Sequence, residues 1–144
     1  MLTMPSEAHN WECRISIAKY DQEQGVLVGW ASLSTDQQGR PFVDAQGDII
    51  PIEEIEKAAH ALMQSGGTGK ADVMHQVFGV GDIVESLVLT SAKRDALKLG
   101  DGPQGWVVAI KVNSPEVREA IKAGAALELS IFGKSRWVNA TGTV

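Results

Sequence analysis

Apolar and polar positions alternate with a period of two through residues 11–20 and 25–33, which predicts two strands joined by a turn at Asp21-Gln22-Glu23-Gln24-Gly25. Residues 34–48 are polar and aperiodic, which predicts a long loop; loops of that length in compact domains often carry function. Pro51 opens a helix at the position where its missing N–H is not needed, and Ile52, Ile55, Ala58, Ala59, Leu62 and Met63 form one apolar stripe along it. Ser65-Gly66-Gly67 ends that helix. Residues 70–77 and 80–90 read as strands, 91–98 as a short helix, and 104–113 as a strand rich in Val and Ile. Ser114 is placed to cap a helix that starts at Pro115-Glu116 and stops at Gly124. Residues 125–132 and 134–140 are the last strands.

The sum is about seven strands with two or three helices. Strands fall in pairs between helices instead of alternating strictly with them, which predicts an α+β fold built as a mostly antiparallel or mixed barrel. Residues 1–10 read as a flexible leader and residues 11–144 as a single domain. No internal repeat, low-complexity tract or linker interrupts it.

Composition narrows the function classes. The chain has 144 residues, 44% apolar and 22% charged, enough for one domain with a true core. A formal net charge of -5, with Lys and Arg scattered, argues against a general nucleic-acid binder. No stretch is long and apolar enough for a membrane helix, and Met1 to Trp11 lacks the basic-then-apolar order of a secretory signal. Cys13 is the single cysteine, so no intrachain disulfide forms. It shares a strand face with Trp11, Ile15 and Ile17, which favours core packing over nucleophilic chemistry.

Two separated segments concentrate the candidate chemistry: Ala71-Asp72-Val73-Met74-His75-Gln76 and Leu127-Glu128-Leu129-Ser130-Ile131-Phe132-Gly133. Each sets one reactive polar side chain in an apolar, strand-like run. A histidine that accepts the proton of a serine hydroxyl makes that serine nucleophilic, the minimum equipment of a serine hydrolase. His75 serves equally as a structural histidine, and Ser130 as a serine on the less buried face of a strand. The Gly-x-Ser-x-Gly elbow of the α/β-hydrolases is absent. In Ile83-Val84-Glu85-Ser86-Leu87-Val88-Leu89, strict alternation puts Glu85 on a face with Ile83, Leu87 and Leu89. A carboxylate there needs a partner. If the strands carrying His75 and Glu85 form a hairpin across Phe78-Gly79, Glu85 orients His75 as the third member of a triad. Asp72 and Asp48 compete for that role, Asp72 from the strand face opposite His75.

Other readings fail on spacing. Gly66-Gly67-Thr68-Gly69-Lys70 lacks the Walker spacing, and Ala71 stands where a phosphate loop needs Ser or Thr. Asp72, His75, Asp82 and Glu85 lack the spacing of a metal site. His60 lies beside the apolar stripe of the first helix and faces solvent. Trp30, Trp106 and Trp137 sit in strands and read as core or interface.

Six blocks in order carry a family resemblance. They are Val28-Gly29-Trp30-Ala31-Ser32, Asp44-Ala45-Gln46-Gly47-Asp48-Ile49-Ile50, Met74-His75, Val84-Glu85-Ser86, Gly105-Trp106-Val107-Val108-Ala109-Ile110-Lys111-Val112 and Leu129-Ser130-Ile131-Phe132-Gly133. Together they span most of residues 12–138, and the chain resembles the XkdF-like phage serine proteases, relatives of the prohead proteases of tailed phages. The resemblance implies a barrel like that of the herpesvirus assembly proteases, wrapped by helices. It implies a serine endopeptidase inside an immature capsid in the bacterial cytoplasm, cutting scaffold and capsid proteins and often itself. No cofactor, metal, nucleic acid or membrane is implied, and a homodimer is. The family's nucleophile falls on Ser130 and its histidine on His75; Glu85 is the choice for the third member. The family often has a second Gly after Ser-Ile where this chain has Phe132, which narrows the site. A non-catalytic module of the phage particle that keeps the fold is the alternative. The small polar run Asn139-Ala140-Thr141-Gly142-Thr143-Val144 is expected to be cleavable, so the chain is expected to be a self-trimmed or truncated form.

Overall fold

A computed structural model describes residues 8–44, 47–64, 70–73, 77–124 and 129–136, with the backbone alone described for 8–13, 70–73, 77–80 and 129–136. In chain order the elements are β1 (Ala8–Asp21), β2 (Val26–Leu33), α1 (Ile52–Gln64), β3 (Lys70–Val73), β4 (Val77–Leu89), α2 (Ser91–Ala96), β5 (Gly105–Val112), α3 (Pro115–Lys122) and β6 (Leu129–Arg136). All ladders are antiparallel. Their order is β1-β2-β5-β4-β3-β6, and β6 returns to β1 to close the sheet.

The expected herpesvirus-protease-like barrel of about seven strands is corrected to six described strands with three helices. Residues 125–132 and 134–140 were expected as two strands; their described part is one, β6, and Gly133 continues the ladder opposite Trp11. Glycine inside a strand weakens it without having to end it. The boundary between the expected strands 70–77 and 80–90 also moves. Val73 pairs with Val77, so Phe78 and Gly79 belong to β4. Four strands, β1, β2, β5 and β4, form the sheet that holds the described core, while β3 is only four residues long. β1 begins at Ala8, so residues 8–10 of the expected leader lie in a strand, and residues 1–7 lie outside the described residues.

Local chemistry explains the boundaries. At the β1–β2 turn, Asp21 Oδ1 accepts from the backbone N–H of Glu23 and Gln24 at 3.0 Å each, and Gly25 adopts φ +67°. Those are an aspartate turn and a left-handed glycine. Thr90 and Ser114 cap α2 and α3 by accepting from Lys93 N and Val117 N. The loop at 34–48 contains two aspartate-centred turns: Asp36 Oδ1 accepts from Gln38 N and Arg40 N, and Asp44 Oδ1 accepts from Asp48 N at 2.8 Å.

The core sits on the inward face of the sheet. Leu27, Val88, Trp106, Val108, Ile110 and Val112 are its largest fully buried side chains. Ile55 and Ala59 of α1 complete it, from the stripe the sequence predicts. Trp106 Nε1 donates to Ser86 Oγ at 2.9 Å, which satisfies the one polar atom of a buried indole. Gly29 permits β1 to approach β2: a Cβ there would lie 2.3 Å from Ser16 O.

Candidate active site

Ser130 lies on β6 between two neighbours. Its register partner on β1 is Arg14, and its partner on β3 is Asp72. Directly opposed residues in an antiparallel ladder have Cα atoms roughly 4.5–5.5 Å apart and occupy the same face. One row across three strands therefore reads Arg14, Ser130, Asp72. Arg14 is exposed. The sequence reading missed Arg14, whose importance depends on a long-range pairing that no local signal reports.

His75 lies outside the described residues. The residues that flank its segment, Val73 and Val77, are register partners, and Val73 also pairs with Leu129, the neighbour of Ser130. The β3–β4 connection that contains His75 in sequence thus begins one register step from Ser130.

Glu85 is placed elsewhere. From Val77 to Glu85 is eight residues of β4, which at about 3.3 Å each is roughly 26 Å of strand. Glu85 is also exposed. The expectation of a buried carboxylate shared with Ile83 is corrected by a bulge: the register shifts between Ile83 and Glu85, so one extra residue intervenes. Ile83 points into the core, 6% exposed, whereas Glu85 joins the outward set with Leu87, 42% exposed. The hairpin across Phe78-Gly79 that would have brought Glu85 to His75 does not form. Of the competing carboxylates, Asp72 stands in the Ser130 row, and Asp48 lies in the loop before α1.

A polar cleft of about 300 Å³ opens at the opposite end of β4. Thr35, Gln38, Ser91, Arg94, Asp101 and Gln104 are among its lining residues. They follow the ends of β2 and β4 and precede β5, far along the sheet from Val73 and Val77. Its hydrogen bonds serve the fold. Gln104 Oε1 accepts from Ser91 N at 3.0 Å, Gln104 N donates to Thr35 Oγ1 at 2.9 Å, and Arg94 Nε donates to Pro103 O at 2.9 Å. Backbone N–H donation from Arg40 to Asp36 is the main cause that holds that carboxyl below its ordinary value. On α1, the hydrogen bond from Lys93 Nζ at 2.7 Å lowers the Glu56 carboxyl likewise. Neither group adjoins the Ser130 row.

Asp82 accepts from Asn113 Nδ2 at 2.9 Å, and His60 is exposed. Among the described residues no group of His, Cys, Asp and Glu is arranged to hold a metal. No described helix is long and apolar enough to cross a membrane.

Comparison with known proteins identifies what the chain is similar to. The profile of the family described as "Putative phage serine protease XkdF" matches residues 15–139. The phage-like element PBSX protein XkdF of Bacillus subtilis (strain 168) is 31% identical over 136 residues, covering 91% of this chain and 45% of that protein. A second protein of the same organism, the uncharacterized protein YqbD, is 35% identical over 100 residues, covering 67% of this chain and 29% of that protein. The chain thus spans less than half the length of either relative. No solved structure matches.

Proposed function

The chain belongs to the XkdF family of phage serine proteases, and from that premise we propose that it is a serine endopeptidase of phage head maturation. Ser130 is the nucleophile and His75 the general base. The observation that supports this most is the register: Ser130 sits in one row with Arg14 and Asp72, and β3 leads from Asp72 through Val73 into the segment that contains His75. Strands hold a backbone more firmly than loops do, and a serine–histidine pair needs hydrogen-bond contact when it acts.

In this reading His75 takes the Ser130 proton as Oγ attacks the scissile carbonyl. His75 then passes that proton to the leaving amine. Water, deprotonated in turn by His75, releases the acyl group. Asp72 replaces Glu85 as the acidic member, because it shares the Ser130 row while Glu85 lies far along β4. The substrates are scaffold and capsid proteins of the same phage, met inside the immature head in the bacterial cytoplasm. The family description supports the reaction class, and the resemblance to prohead proteases supports the setting.

The test is intact mass after co-expression with the phage's scaffold and capsid proteins, wild type against Ser130→Ala. Fragments produced by wild type alone support the protease and its nucleophile together. Identical masses, with the variant folded, favour a particle component that keeps the fold without the chemistry.

A further inference from the structure

The Ser130 row lies on the outer surface of the sheet. Ile15 is 7% exposed and belongs to the core, while its neighbours Arg14 and Ser16 are exposed, so both stand on the opposite face. Arg14 is the register partner of Ser130, and Ser16 that of Trp30. Trp30 pairs onward with Val107, and Val107 with Leu87. One outer strip thus runs from Ser130 on β6 across β1 to Trp30 on β2, Val107 on β5 and Leu87 on β4.

Beyond β1 the strip is apolar. Trp30 and Val107 are half-buried and Leu87 is 42% exposed. An outer sheet face that meets only water normally alternates to polar residues. The described helices do not supply a cover. Ile55 and Ala59 of α1 lie in the inward core, Val117 and Ile121 of α3 pack against it, and α2 has no buried residue. The strip is also narrow: in the next outer row, exposed Lys19 on β1 and exposed Glu85 on β4 stand at the two ends. A strip one residue wide with charges at its border fits a single extended segment better than a broad protein face.

We propose that this strip docks the substrate polypeptide, holding one of its apolar side chains against Trp30 while Ser130 attacks the scissile bond. The proposal rests on Ser130 being the nucleophile, and it names what is recognised beyond that bond. What covers the strip at its β6 end is then the chain being cut, and the strip continues from there over Arg14 and Ser16 to the apolar residues. Strands stand about 4.8 Å apart and rise about 3.4 Å per residue. Two strands across and two residues along therefore put Trp30 roughly 12 Å from Ser130. An extended substrate covers that in about four residues, and a further pair brings it to Leu87. Both positions fall on the same side of an extended chain, because its side chains alternate. Tryptophan offers a large rigid apolar surface, the usual character of a binding hot spot.

A proteome-derived peptide library, incubated with the full chain and read by mass spectrometry, tests this. Fluorophosphonate labelling of Ser130 in the same preparation tests the nucleophile separately. The wild type is expected to take the label and to cut where Leu, Ile, Met or Phe stands about four residues to one side of the scissile bond. On a peptide chosen from those cuts, Trp30→Ala should raise KM about tenfold or more with kcat within about twofold, and erase the preference. Leu87→Ser, at a more exposed position, should raise KM by less. Circular dichroism verifies that both variants fold. A wild type that labels but cuts no peptide, or cuts without that apolar preference, overturns the proposal and leaves the nucleophile standing. So do folded variants that keep the wild-type KM. Variants that dissolve a dimer while KM stays unchanged overturn it too, and give the strip to a second copy of the chain. A wild type that takes no label removes the protease reading and this proposal with it.

Discussion

β5 and β6 are both eight-residue strands in the same sheet, and they divide the molecule's work. β5, Gly-Trp-Val-Val-Ala-Ile-Lys-Val, carries one charged residue and buries most of its length, with Val108 and Ile110 wholly inaccessible. β6, Leu-Ser-Ile-Phe-Gly-Lys-Ser-Arg, carries two serines, a glycine and two cations. β5 pairs with β4 along its full length and with β2 from Gly105 to Lys111; β6 pairs with β1 along its full length but with β3 over three residue pairs among the described residues. Stability is therefore invested in β5 and its neighbours, and the candidate chemistry lies where pairing is shortest. Sites that must admit substrate are commonly drawn from the less stable parts of a fold.

Substitutions sharpen this contrast. Trp106→Ala removes the largest fully buried side chain among the described residues and leaves Ser86 Oγ without its donor; urea unfolding should show a loss of about 3–5 kcal/mol. Ser130→Ala on β6 should move the same midpoint by no more than about 0.5 kcal/mol while ending proteolysis. A large destabilisation from Ser130→Ala would break the division of labour.

Gly29→Ala forces a methyl toward Ser16 O and Ile15 Cγ2, and should cost about 1–3 kcal/mol by the same measurement. Ser114→Ala removes the α3 cap that accepts from Val117 N at 3.3 Å; a loss of about 1 kcal/mol is expected. The smallest effect concerns pH. Lys93 lowers the Glu56 carboxyl, so the pair stabilises the fold above the ordinary value of 4.5 and loses that contribution as pH falls through the lowered value. Both side chains are about one-third exposed, so Lys93→Met should flatten the acid limb of the stability profile by under about 1 kcal/mol.

Much of this was legible in the sequence, because the signals were local. The hairpin at Asp21–Gly25, the Ile55–Ala59 stripe and the Ser114 cap each depend on a few neighbouring residues. What was not legible depends on pairing. Two-residue periodicity placed Glu85 with Ile83, but a single bulged residue moved it to the other face. Phe78-Gly79 looked like a turn because glycine breaks patterns, whereas the ladder sets Val73 against Val77. The row formed by Arg14, Ser130 and Asp72 joins residues more than fifty positions apart, and only the closed strand order brings them together.

The central claim, that Ser130 is an activated nucleophile, is tested most directly with a fluorophosphonate probe. The folded chain is incubated with it, its intact mass is read, and the adduct is mapped. One adduct on Ser130, absent from Ser130→Ala and much slower to form in His75→Ala, is the predicted result. A folded wild type that takes no adduct, or one that carries it on another residue, contradicts the claim.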